Sequence, residues 1–222
     1  MSWDPAWEDV FSTRDWGRYP PEELIRFVAR HFFKATDRTR IKILEIGCGA
    51  GANIWFLARE GFQTFGIDGS PTAVAKANKY LKGENLPARL LVGDAARLGA
   101  LYLPGSFDAV IDVCCLQHNR AEEVRAILNQ ARIALKPGGR MFSMMCAAGT
   151  WGDGLGRAVE PGSYVDVSEG PYAGKGLVHF FTLEEVENLF SDFVGLHIES
   201  SVRSLDGRRR EIRHWVVEGA LP

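Results

Sequence analysis

A strand that ends in closely spaced glycines constrains the fold of this chain more than any other feature. The segment 41–46 reads Ile-Lys-Ile-Leu-Glu-Ile, and Gly47, Gly49 and Gly51 follow it. Glycine permits positive φ angles and lets the backbone approach a ligand, while the next helix points its free N–H groups at that ligand. We therefore predict that a nucleotide site begins here. An ordinary strand-to-helix turn is the alternative, and Gly47-x-Gly49-x-x-Ala52 also fits a dinucleotide fingerprint.

Two further predicted strands end in acidic residues. The strand 62–67 is followed by Asp68, about 20 residues after the glycines, where a ribose-binding carboxylate belongs in a nucleotide-binding βαβ unit. A short apolar strand then leads to Asp94 and Ala95, where a carboxylate and a backbone amide can contact an adenine ring. Between the two acids, Ser70 and Pro71 mark the start of a helix. This order favours S-adenosylmethionine over NAD as the ligand.

Five motifs occur in a fixed order along the chain. They are Glu45-x-Gly47-x-Gly49-x-Gly51, Asp68 at a strand end, Gly93-Asp94-Ala95, Phe107-Asp108-Ala109-Val110 and Leu135-Lys136-Pro137-Gly138-Gly139. Together they resemble class I S-adenosylmethionine-dependent methyltransferases of the small-molecule type, over residues 41–146 and more loosely from 181 onward. The resemblance implies an α/β, Rossmann-like fold. Its sheet would have seven mostly parallel strands, an antiparallel C-terminal hairpin and helices on both faces.

The resemblance also implies S-adenosyl-L-methionine as the cofactor and assigns residues to it. The methionine moiety would lie against the glycine turn, the ribose against Asp68, and the adenine against Asp94 and Ala95. The complete set of expected cofactor-binding residues is Glu45, Gly47, Cys48, Gly49, Ala50, Gly51, Asp68, Gly69, Asp94, Ala95, Asp112 and Gln117.

Length and composition agree with one enzyme domain. The chain has 222 residues, of which 46% are hydrophobic and 24% charged, enough to bury a full core without splitting. We expect a single domain built from an N-terminal helical cap (1–40), a cofactor-binding core (41–146), an acceptor lid (147–176) and a C-terminal helix with a hairpin (177–222).

The charge and the cysteines restrict partners and location. A net charge of -2 makes a nucleic-acid partner unlikely, and no segment approaches the length of a membrane span. The four cysteines fall in or beside predicted central strands without paired metal-ligand spacing, which indicates reduced thiols and a cytoplasmic protein. The oligomeric state stays open.

The segment after the fourth predicted strand carries the candidate catalytic group. His118 is the best candidate for a general base, because neutral imidazole can take a proton near physiological pH. The alternative is a histidine that only packs and hydrogen-bonds at a helix entrance. Asp112 could contact the methionine end of the cofactor or satisfy backbone donors. The residues around Asp112 and Cys146 lack the motifs of amino-group and metal-dependent methyltransferases, so we expect no metal.

The acceptor site is expected outside the common core. The glycine-rich segment 147–176 lacks helix or strand periodicity and contains Trp151, Tyr164 and Tyr172, which is typical of a binding loop or lid. The segment from Trp16 to Tyr19 is expected to cap the same site. We predict methyl transfer to a small molecule, with an oxygen acceptor preferred. The alternatives are an NAD-dependent oxidoreductase and a non-catalytic regulatory protein that binds S-adenosylmethionine.

Overall fold

The computed structural model describes residues 3–14 and 17–222. The strands of the described residues are β1 (Lys42–Ile46), β2 (Gln63–Asp68), β3 (Arg89–Val92), β4 (Phe107–Val113), β5 (Leu135–Cys146), β6 (Arg157–Glu160), β7 (Ser163–Val165), β8 (Val178–His179), β9 (Val194–Leu205) and β10 (Arg210–Ala220). The helices are α1 (Ala6–Thr13), α2 (Glu22–Phe32), α3 (Ala52–Arg59), α4 (Pro71–Gly83), α5 (Ala121–Ala134) and α6 (Leu183–Leu189).

Seven strands form the central sheet in the order β3-β2-β1-β4-β5-β10-β9. Strands β1 to β5 pair in parallel, whereas β10 pairs antiparallel with both β5 and β9. The hairpin between β9 and β10 turns through Asp206 and Gly207, with φ angles of 50° and 62°. The predicted α/β fold with an antiparallel C-terminal hairpin is confirmed.

Both faces of the sheet are covered by helices. On one face, Leu24, Phe27 and Val28 of α2 are fully buried and pack in one cluster with Ile43 and Phe142 of the sheet. On the other face, the apolar sides of α5 and α6 join a second cluster. Burying two apolar faces requires a sheet that is hydrophobic on both sides, as parallel sheets are. Among the described residues, no helix is both long enough and apolar enough to span a bilayer.

Helix starts follow the sequence signals. The Ser70 hydroxyl accepts a hydrogen bond from the Ala73 N–H at 3.0 Å and caps α4. Thr182 and Glu185 form the predicted capping box at α6, where the Thr182 hydroxyl accepts from the Glu185 N–H at 3.2 Å. These caps fix the loops that precede the helices.

The segment 147–176 has regular structure that the sequence did not predict. Strands β6 and β7 form an antiparallel pair, and β8 extends it to a three-stranded sheet. The expectation of a segment without strands was wrong, because strands of two to four residues are too short to show an alternating pattern. The segment encloses a small core with Val167, Tyr172 and Phe180.

Candidate active site

A cavity of about 350 Å³ lies at the carboxyl ends of β1, β2, β3 and β4. Open α/β sheets bind ligands at this edge, and the volume lies within the range of small-molecule sites. The predicted residues that line the cavity are Glu45, Gly47, Cys48, Gly49, Ala50, Gly51, Asp68, Gly69, Asp94, Ala95, Gln117 and His118. The fold therefore brings twelve of the thirteen predicted site residues to one cavity.

The backbone conformation and the packing of the turn after β1 both require glycine, whether or not a ligand is bound. Gly47, Gly49 and Gly51 have φ angles of 66°, 50° and 86°, in the left-handed region that favours glycine. A Cβ at Gly51 would lie 2.8 Å from the Ala77 Cβ, and one at Gly47 would overlap Cys115. The turn is thus packed tightly on its outer side and presents backbone to the cavity.

Asp68 and Asp94 order the loops at the ends of β2 and β3. The two carboxylate oxygens of Asp68 accept from the Gly49 and Ser70 N–H groups at 2.8 and 2.9 Å. Asp94 accepts from the Ala96 N–H at 2.9 Å. Asp68 therefore links the glycine turn to the end of β2, and the same side chain lines the cavity.

Glu45 places a buried oxygen at the cavity without a protein partner. Its side chain is 1% exposed, and Oε1 accepts from the Asn53 amide at 2.5 Å. Oε2 has no hydrogen-bond partner within the part of the chain that the structure describes. Burial raises the pKa of Glu45 to about 8, and the charges of Asp68 and Asp112 act in the same direction. Because an unsatisfied buried polar atom costs about 1–3 kcal/mol, a polar ligand group is the expected partner.

Asp112 is not among the residues that line the cavity in the described structure. It is fully buried, and its carboxylate accepts from the Cys115 and Leu116 N–H groups and from the Ser143 hydroxyl. Burial raises the pKa of Asp112 to about 6. Of the two roles that the sequence left open, these contacts favour the satisfaction of backbone donors.

The turn after β4 contains a strained residue that the sequence did not reveal. Cys114 has a φ angle of 61°, which is rare for a residue with a side chain. The hydrogen bonds from Cys115 and Leu116 to Asp112 hold this turn, and Cys115 fills the space beside Gly47. All four cysteines are free, and Cys114 and Cys115 follow the strand rather than lying in it.

His118 is buried at the cavity wall with both ring nitrogens engaged. Its Nδ1 lies 2.7 Å from the Leu177 carbonyl oxygen and must donate to it, so Nε2 carries the lone pair. The Gln117 side chain accepts from the Cys146 N–H at 2.7 Å, which turns its amide nitrogen to His118 Nε2 at 3.2 Å. Burial lowers the pKa of His118 to about 4. His118 is therefore neutral at physiological pH.

The N-terminal helix closes one side of the cavity. The Glu8 carboxylate accepts from the hydroxyls of Ser70 and Thr72 at the start of α4, and the Lys76 ammonium donates to the Phe11 carbonyl at 2.6 Å. These bonds hold α1 against α4, so Trp7 and Phe11 line the cavity. Trp7 packs edge-on against His118, with ring centroids 4.5 Å apart.

Two parts of the predicted acceptor site differ from expectation. Trp151 is not among the lining residues of the described structure, because its ring packs against the Arg210 guanidinium at 4.1 Å and its N–H donates to Glu169. From the segment 147–176, Tyr172 and Lys175 reach the cavity instead. Tyr19 also lines it, whereas Trp16 lies outside the described residues.

Comparisons with known proteins agree with this geometry. Residues 43–139 match a family described as a methyltransferase domain. The chain is 35% identical over 101 residues to demethylmenaquinone methyltransferase of Tropheryma whipplei (strain Twist), a match that covers 45% of this chain and 39% of that relative. It is 33% identical over 106 residues to ribosomal RNA small subunit methyltransferase C of Alcanivorax borkumensis, covering 46% and 31% of the two chains. The chain thus spans less than half the length of these curated relatives.

Among solved structures, a protein described as a SAM-dependent methyltransferase from Methanosarcina mazei has the same fold. The TM-score is 0.68 at 24% identity, over 86% of this chain and 96% of that one. The matched domain, the strand order and the cavity at the glycine turn agree. The matched domain at residues 43–139 and the strand order support a class I S-adenosylmethionine-dependent methyltransferase. This family takes S-adenosylmethionine as its cofactor.

The residues that line the cavity fit that cofactor. The unpartnered Oε2 of Glu45 can pair with an ammonium group, and the glycine turn lines the cavity without side chains at Gly47, Gly49 and Gly51. Asp68 is suited to ribose hydroxyls, because each carboxylate oxygen can accept more than the one hydrogen bond shown. No group of three or more His, Cys, Asp or Glu side chains suited to a metal ion occurs within residues 3–14 and 17–222.

Proposed function

We propose that this methyltransferase transfers a methyl group to an oxygen atom of a small organic acceptor. The observation that carries the proposal is one continuous cavity, which runs from the ends of β2 and β3 to the exit of β4. At the first end lie Asp68 and Asp94. At the other end lie Tyr172 and Lys175, from a segment outside the matched domain.

The walls of the acceptor end support a small, partly aromatic molecule. Trp7 and Tyr172 pack beside His118 in this region, and aromatic walls favour flat apolar ligands. The aromatic residues come from α1 and from the segment 147–176, outside the matched domain at 43–139. A nucleic-acid acceptor is less well supported, because proteins that bind nucleic acid are typically basic and this chain has a net charge of -2.

The charges at the acceptor end support an oxygen nucleophile. Lys175 lines the cavity, and its ammonium lies 6.0 Å from the centre of the Tyr172 ring. Burial lowers the pKa of Lys175, and the nearby positive charge of Arg14 lowers it further. The Lys175 ammonium attracts an anionic oxygen, such as a phenolate, an enolate or a carboxylate, and repels a protonated amine.

The chemistry requires alignment more than a strong base. S-adenosylmethionine supplies a methyl group on a sulfonium; the acceptor oxygen forms the new C–O bond as the C–S bond breaks and leaves a neutral thioether. The walls of the cavity align the acceptor and exclude water, which supplies much of the acceleration in such displacements. An acidic hydroxyl ionises before transfer and gives its proton to solvent, so the positive charge of Lys175 can replace a base.

His118 contributes to this site as a neutral group. A pKa of about 4 makes its imidazole a weak proton acceptor, and the Gln117 amide occupies the remaining lone pair. We propose that His118 fixes the wall between Leu177 and Gln117, with proton abstraction as the second role to be tested. His118→Ala is expected to lower turnover by disturbing that wall.

The proposal is tested by turnover with three acceptor classes. The purified protein is incubated with S-adenosylmethionine and, separately, with small phenols and carboxylic acids, with amines of matched size, and with ribosomal RNA. Formation of S-adenosylhomocysteine and of methylated product is followed by mass spectrometry. Methyl ethers or esters are the expected products, and Lys175→Met should raise the KM for anionic acceptors about 10-fold while affinity for S-adenosylhomocysteine stays unchanged. Transfer to amines or to RNA alone would refute the oxygen acceptor.

A further inference from the structure

Packing against Trp3, and not backbone conformation, requires glycine at position 69. It follows Asp68 directly at the end of β2 and lines the cavity. It is not among the glycines with positive φ, so a side chain could be built on this backbone without strain. A Cβ at Gly69 would, however, overlap the indole ring of Trp3. The missing side chain at Gly69 therefore makes room for Trp3.

Trp3 lies where the nucleoside end of the cofactor site is formed. The indole lies against Gly69, which follows Asp68 at the end of β2, and Asp94 with Ala95 after β3 line the same cavity. The indole thus supplies an aromatic surface at the edge of the sheet where ribose and adenine are expected. Aromatic side chains stack on nucleobases without regard to base identity.

The N-terminal segment is held so that Trp3 stays in place. Asp4 accepts hydrogen bonds from the Ala6 N–H and from the Leu177 N–H, both at 2.9 Å. The Leu177 carbonyl in turn accepts from His118 Nδ1. Glu8 anchors the next turn of α1 to Ser70 and Thr72. Trp3 is therefore connected to both the cofactor side and the acceptor side of the cavity.

We infer that Trp3 binds the adenosine part of the cofactor. Its indole occupies the space that a side chain at position 69 would otherwise fill. The inference rests on the proposed function, because it assumes that the cavity holds the methyl donor. The N-terminal segment, which lies outside the matched domain at 43–139, is then a structural part of the cofactor site. Its removal would leave the strand-end acids but take away one wall.

The test measures affinity by calorimetry for two probes, S-adenosylhomocysteine and 5′-methylthioadenosine, which lacks the amino-acid part. Trp3→Ala should weaken both by about 10- to 100-fold, the loss expected when a base-stacking aromatic is removed. Trp3→Phe should retain most of the affinity. Trp151→Ala is the matched control, because Trp151 packs on Arg210 away from the cavity and its loss should leave both affinities unchanged.

A double variant separates a binding role from a folding role. In Trp3→Ala/Gly69→Leu the leucine enters the space that the indole vacates, and it should restore at least part of the lost affinity. Thermal unfolding of each variant shows whether the fold is intact. The inference is overturned if the wild type binds S-adenosylhomocysteine and Trp3→Ala binds it equally well. It is also overturned if Trp3→Ala loses affinity and the added leucine restores none of it. Wild-type protein that binds neither probe contradicts the proposed function instead.

Discussion

At the scale of single residues, burial decides the chemistry of the titratable groups around the cavity. Glu45 and His118 are shielded from water, and each is driven to its neutral form: the pKa of Glu45 rises to about 8 and that of His118 falls to about 4. The sequence predicted their place in the site but not these states. Burial depends on α1 and on Leu177, whose contacts with His118 span distant parts of the chain.

The lowered pKa of His118 predicts a specific loss of stability in acid. Above pH 6.5 the residue is neutral in both the folded and the unfolded chain and contributes nothing. As the pH falls from 6.5 toward 4, the unfolded chain takes up a proton that the folded chain does not, so stability is lost. His118→Gln lacks this proton uptake. Between pH 7 and pH 4.5, the free energy of unfolding of the wild type should therefore fall by about 2–3 kcal/mol more than that of the variant.

Urea unfolding of both proteins at the two pH values measures this shift. A difference in unfolding free energy that is independent of pH would show that His118 titrates normally. The role of general base would then regain support.

At the scale of elements, short α1 and the paired strands of the segment 147–176 should respond differently to ligand. An isolated helix of eight residues has little stability of its own, so α1 depends on its contacts with α4 and the cavity. Strands β6 and β7 satisfy each other's backbone groups. The sequence predicted that the whole segment 147–176 closes over the acceptor. In the structure part of it forms the strands β6 and β7, and Tyr172 and Lys175, which line the cavity, lie between β7 and β8.

We predict that hydrogen exchange will show ligand-dependent protection in α1 and not in β6 and β7. Adding S-adenosylhomocysteine should slow exchange in peptides that cover residues 6–13, because the bound ligand stabilises the contacts of Trp7 and Phe11. Peptides that cover residues 157–165 should already exchange slowly in the free protein. Ligand-dependent protection in residues 157–165, with no change in residues 6–13, would contradict this prediction. It would indicate that the segment after β5 is the part that closes over the site.

At the scale of the whole molecule, the parallel sheet and its cavity were accessible from the sequence because local signals coincide there. Glycines, strand-end acids and helix caps all lie within a few residues of the elements they define, as for Asp68 and Ser70. The contacts of the N-terminal segment were not accessible, because the docking of Trp3 on Gly69 and of Glu8 on Thr72 joins residues more than sixty positions apart. The same limit hid the three short strands after β5, whose pairing depends on β8.

The central claim is that this cavity binds S-adenosylmethionine through Glu45 and the glycine turn. Calorimetric titration with S-adenosylhomocysteine tests it most directly, with NADH as the competing ligand and Glu45→Gln as the variant. Glutamine matches the protonated form that a pKa of about 8 gives Glu45 at pH 7, so the fold should be preserved. We predict saturable binding of S-adenosylhomocysteine, whose ammonium group favours the ionised form of Glu45. Glutamine cannot ionise, so Glu45→Gln should bind about 10-fold or more weakly, and NADH should show no saturable binding. Saturable binding of NADH without binding of S-adenosylhomocysteine would contradict the account.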